Sequence, residues 1–97
     1  MSGKGFILVV YDISNDKRRT KLHNALLDFG TPVQYSVFEC FLDEKEQERM
    51  KRKVMGTIRP KIDHVRFYPI CAECLRQVET TAGKEVLCED NRAIIVG

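Results

Sequence analysis

Long apolar runs are missing. No stretch of the 97 residues approaches the roughly 18 apolar residues of a membrane span. The start MSGKGFILVV also lacks the small-residue cleavage site of a signal peptide. A membrane partner is therefore not expected, and the cytoplasm is the expected compartment. Low-complexity segments, linkers and internal repeats are absent too, which sets aside disordered and solenoid architectures. Charge of one sign is scarce: sixteen basic against fourteen acidic residues leave +2. That balance is too weak to argue for a nucleic-acid partner, so only local clustering can. There is no Walker loop, dinucleotide fingerprint or nucleophile elbow. Neither His23 nor His64 has a cysteine or serine beside it in a triad-like motif, so both read as structural. The four cysteines have no secretory signal to go with them, and reduced thiols are expected. Cys71 and Cys74 have zinc-knuckle spacing, but no second pair or histidine follows at a metal-site interval. They read as two small, partly buried side chains near a strand end, with a tetrahedral metal site completed across a dimer as the second reading.

What is present suits one small globular domain over 1–97, with 43% hydrophobic and 31% charged residues. A domain of this size buries a modest share of its surface, which favours a dimer. The run at 6–11 is continuous, apolar and rich in β-branched residues, as in a central strand, and it stops at Asp12. Ser14, Asn15 and Asp16 are helix-capping types. Leu22, Ala25, Leu26 and Phe29 then repeat at helical spacing, closed by Gly30. Residues 33–42 must be sheet, either one long strand or two with a bend near Tyr35 and Ser36. Asp43 and Glu46 form a capping-box pattern for a charged helix with Met50 and Val54 as main apolar contacts, ending at Gly56. Residues 64–70 alternate as a strand, with Pro69 favouring an edge. Short strands are expected at 76–79 and 91–96. The order predicts an α+β, ferredoxin-like (βαββαβ) sandwich with additional C-terminal strands.

Asp12 follows directly on a buried strand, where a carboxylate emerges at the end of the sheet. Magnesium wants such hard oxygen ligands and keeps several waters, so one aspartate per chain is enough in a symmetric dimer. From its chemistry alone, Asp12 reads first as a residue that turns the chain into the helix and only second as a metal ligand. Lys17, Arg18, Arg19 and Lys21 crowd the start of the first helix, where the macrodipole disfavours cations. A bound phosphate explains them, and so does a solvated face. Arg49, Lys51, Arg52, Lys53, Arg59 and Lys61 form a second basic stretch with the same two readings.

The combination Val10-Tyr11-Asp12-Ile13, then Arg18-Arg19, then Gln34-Tyr35-Ser36-Val37-Phe38-Glu39 resembles the Cas-two family of CRISPR-associated endoribonucleases. Both motifs stand in the family's order and spacing. The resemblance implies a ferredoxin-like homodimer, completed by pairing of residues of about 71–97 with the other subunit. It implies a magnesium site at Asp12, Arg19 beside the scissile phosphate and Phe38 supporting the site at the dimer interface. Metal-dependent endonuclease activity on RNA or duplex DNA is implied, in spacer acquisition with the Cas integrase. A non-catalytic DNA scaffold, with Arg18, Arg19, Lys21, Arg52 and Lys53 on nucleic acid, is the other function the family suggests. Lys21 keeps the charge of a further basic residue of some relatives without its bidentate fork.

Overall fold

The computed structural model describes residues 3–81, 86–87 and 93–94. Its elements run β1 (Gly5–Asp12), α1 (Asp16–Leu26), β2 (Gly30–Gln34), β3 (Val37–Leu42), α2 (Glu44–Thr57), β4 (His64–Ile70), α3 (Ala72–Leu75), β5 (Val86–Leu87) and β6 (Ala93–Ile94). The first four strands form an antiparallel sheet ordered β2-β3-β1-β4. That is the expected ferredoxin-like topology, with the apolar run in the interior and Pro69 on edge strand β4.

Alternation along the strands sorts side chains to two faces. Ile7, Val9 and Tyr11 of β1 line up with Phe38, Cys40 and Leu42 of β3 beneath the helices. Leu22 and Leu26 of α1 and Met50 and Val54 of α2 close this core, with Val65 and Phe67 packed against it. Within it Cys40 is fully buried, 3.8 Å from the Met50 sulfur. Burial, with Glu39 adding to it, pushes the Cys40 thiol up to about 11. The helices start as their sequences demand. Asn15 caps α1 by accepting the Arg18 amide at 2.9 Å, and Asp43 and Glu46 complete the capping box of α2.

Three boundaries differ from the sequence expectation. Helix α1 ends at Leu26, not at Gly30, because Asp28 and Phe29 donate back three residues to Ala25 and Leu26 and tighten the chain. Gly30 instead opens β2, where a Cβ would stand 2.4 Å from the Glu39 carbonyl oxygen and 2.5 Å from the Cys40 sulfur. Gly56 lies inside α2, which runs to Thr57. Residues 76–79 are not a strand: amides 76, 77 and 78 bond back to carbonyls 72, 74 and 75, and this winding lets Leu75 and Val78 pack on Phe6. The bend at Tyr35 and Ser36 is real, a two-residue turn between β2 and β3.

Cys71 and Cys74 are exposed, contrary to the expectation of partial burial; Cys71 caps α3 and Cys74 lies within it. The Cys71 sulfur accepts the Cys74 amide at 3.4 Å, and that bond lowers the Cys71 thiol. Beyond α3, Ala93–Ile94 pairs antiparallel with Val86–Leu87. The rest of the expected strand at 91–96 lies outside the described residues.

Candidate metal and nucleic-acid site

The parity of β1 sends Asp12 to the face of the sheet that the two long helices leave open. It is exposed at the strand's end and pairs in register with His64 of β4. Val10 pairs with Arg66 and Leu8 with Tyr68 on the same face. A cavity of about 440 Å³ is lined by Val10, Tyr11, Asp12, His64, Arg66 and Tyr68. Arg66 donates to the Tyr68 hydroxyl at 3.3 Å, which fixes a cation in the same hollow as the carboxylate. His64, read as structural for want of a triad-like neighbour in sequence, is an exposed neighbour of Asp12, a pairing that only the β1–β4 register reveals.

Arg19 approaches the same sheet end from the helix side. Its guanidinium donates to the Ile13 carbonyl at 2.9 Å, one residue beyond Asp12, and to the Asp16 carboxylate. Its central carbon stands 5.9 Å from the ring centroid of Tyr35. Behind it, burial and the nearby Tyr35 phenol raise the Tyr11 hydroxyl, and Arg19 partly opposes them.

Two residues lie elsewhere than expected. Phe38 is 0% exposed beneath α1, its ring 6.3 Å from that of Tyr11 and 5.2 Å from that of His23. A side chain sealed in its own core does not reach a second subunit; its ring contact with Tyr11 is its link to the strand end that carries Asp12. Arg18 turns to Asp63, donating at 2.7 and 3.2 Å in a bidentate pair, while the Arg59 amide donates to the same carboxylate at 2.9 Å. These bonds, Arg18 first, hold the Asp63 carboxyl below the usual range. The crowded cations of the first helix thus have local reasons: Arg18 answers a buried acid and Arg19 answers Asp16. Asp63 was missed because 45 residues separate it from Arg18 and no local spacing signals the pair.

The remaining expected nucleic-acid residues do meet. Lys21 of α1 and Arg52 and Lys53 of α2 line one open cleft of about 580 Å³ between the helices, with Asn24, Asp28 and Thr57. Three cations around a shallow groove suit a phosphate backbone. This cleft lies on the helical layer, away from the open face that carries Asp12.

Among the described residues no group of three or more His, Cys, Asp or Glu can enclose a metal. An exposed strand-end carboxylate still fits magnesium, which binds through one or two carboxylates and retains water.

An antiparallel β2-β3-β1-β4 sheet with both long helices on one face defines a ferredoxin-like α+β domain, here with an exposed aspartate at the end of a central strand. The family model described as CRISPR associated protein Cas2 matches residues 5–78, and the chain belongs to that family. The "CRISPR-associated endonuclease Cas2 2" of Thermus thermophilus is 42% identical over 71 residues, covering 73% of this chain and 79% of the relative. The "CRISPR-associated endoribonuclease Cas2 3" of Synechocystis sp. is 36% identical over 72 residues, covering 74% and 78%. Among solved structures, a chain of a "Partial Cas6-RT-Cas1--Cas2 complex" superposes with a TM-score of 0.69 at 26% identity, covering 87% of this chain and 88% of that one.

Proposed function

We propose that this chain is a magnesium-dependent endonuclease that works as a homodimer in the cytoplasm, in spacer acquisition beside a Cas1-type integrase. The observation that carries the reading is the position of Asp12 on the open sheet face, at the rim of a hollow that also holds Arg66. Relatives named endonuclease and endoribonuclease support hydrolysis of a phosphodiester, and the solved complex containing Cas1 and Cas2 supports the partner. The open face is apolar around Leu8, Val10, Val37 and Tyr68, and burial on it raises the Glu39 carboxyl. A second copy stacked on this face would remove apolar area from water and bring two Asp12 carboxylates toward one axis. Pairing of the chain beyond residue 71 with the other subunit would extend that interface.

Magnesium held there would supply a Lewis acid and an activated water. The chain's own residues do the rest. Asp12 would hold the metal, Arg19 would place positive charge on the helix side of the scissile phosphate, and Arg66 would do so on the open face. Asp12→Asn is expected to abolish magnesium-dependent cleavage of labelled RNA and DNA while the dimer persists. Cleavage at the wild-type rate would overturn the assignment.

The basic cleft favours a second function, a scaffold that holds duplex DNA without cutting it. Charge reversal of Lys21, Arg52 and Lys53 should weaken duplex binding and flatten its salt dependence by about one unit of slope per lost phosphate contact. An unchanged slope would leave these residues as a solvated surface.

A further inference from the structure

The turn between β2 and β3 presents an aromatic ring to water. Tyr35 is 80% exposed, more than Leu27, Met55, Ile62 or Tyr68, the other exposed large apolar residues described. The ring is nevertheless held in place. Arg19 lies over it at 5.9 Å, and the same guanidinium is tied to the Ile13 carbonyl and to Asp16. The next residue, Ser36, has a φ of 68°, a left-handed conformation that a residue with a side chain adopts at a cost. The Ser36 carbonyl accepts the Tyr11 amide at 3.0 Å, so the turn is fastened to the strand end that carries Asp12. With Arg19 beside it and four-fifths of the residue exposed, most of the ring is left to solvent among the described residues.

We propose that Tyr35 is a base-stacking residue, taking on its open face an unpaired base that flanks the phosphodiester presented to Asp12. The inference rests on the nucleic-acid reading above and adds a specificity to it. Stacking requires a base whose flat face is free, so the preferred substrate is a single strand or an unpaired segment, with little dependence on which base is stacked. Arg19 stiffens the platform by cation–π attraction and keeps its other donors for the adjacent phosphate. A held ring loses less freedom on binding than a mobile one, which is the use of the constrained turn.

The test uses the full chain carrying Asp12→Asn, so that bound strands survive, and a single-stranded oligonucleotide in which one 2-aminopurine is moved along the sequence. One position should be quenched on binding. Tyr35→Phe should retain that quench. Tyr35→Ala should lose it and bind roughly 5- to 150-fold more weakly, the range for one base–aromatic stack. On a strand with an abasic site at that position, Tyr35→Ala and its parent should bind alike. Equal losses on the intact and abasic strands, an undiminished quench in Tyr35→Ala, or conversion of Tyr35→Ala to a monomer would each overturn the proposal. Failure of the nuclease reading would look different: intact wild-type chain would cut nothing while the Tyr35-dependent quench persisted.

Discussion

The two faces of the four-stranded sheet are built from the same strands by the same alternation, yet they end in opposite conditions. On one face Val9, Phe38 and Cys40 are completely covered by Leu22, Leu26, Met50 and Val54. On the other, Leu8, Val10 and Val37 are only partly covered, and α3 reaches just the far end, where Leu75 sits on Phe6. Among the described residues the chain completes the fold on one side, and the proposed chemistry sits on the other. Asp12 belongs to that other side by parity alone, because a one-residue slip of β1 would send it under the helices.

Four substitutions or conditions sharpen this contrast, in descending order of effect. Phe38→Ala should cost about 3–5 kcal/mol of stability in a denaturant titration, because the cavity opens in the closed core. A loss of dimer with full monomer stability would instead place Phe38 at an interface. Leu8→Asp should leave the monomer folded by circular dichroism while sedimentation shows the proposed dimer dissociated, since the new carboxylate would be buried unpaired in an apolar seam. A dimer that survives would mean that the open face is not the seam. Acid should loosen the closed side through Asp63. Its folded-state pKa is depressed below that of the unfolded chain, so its contribution is complete above the ordinary carboxylate range and is lost as pH falls through the lower folded value. Asp63→Asn should flatten that acid limb in thermal melts; an unchanged limb would remove the Arg18 pair as its source. Asp43→Ala should cost about 1 kcal/mol by removing the cap of α2, with the open face unaffected.

Legibility in the sequence followed the range of the interaction. The strand at 64–70, the caps at Asn15 and Asp43 and the ferredoxin-like order were readable because periodicity and capping are local. The end of α1 was not, since Gly30 carries two meanings: it can close a helix, or it can let β2 approach the Cys40 sulfur, and here it does the second. The cations of the first helix were visible as a cluster, but the partner that consumes Arg18 enters just before β4. Lys21, Arg52 and Lys53 were visible as two separate stretches, and only the antiparallel packing of α1 on α2 makes them one cleft. Asp12 was found by its place after the apolar run, whereas its neighbour His64 depended on register.

The thiols of this chain differ in what they can be used for. Cys40 is sealed under the helices with its proton held up to about 11, so at neutral pH it is shielded from alkylating reagents twice over. Cys71 stands exposed where the chain leaves β4, and its thiolate is favoured by the Cys74 amide. With Cys74 and Cys88 replaced by serine, a maleimide dye should attach at that one point without protection chemistry. The label would sit at the pivot between the sheet and the C-terminal segment. An optical handle on whether that segment stays with its own chain or crosses to another is thus already written into the protein.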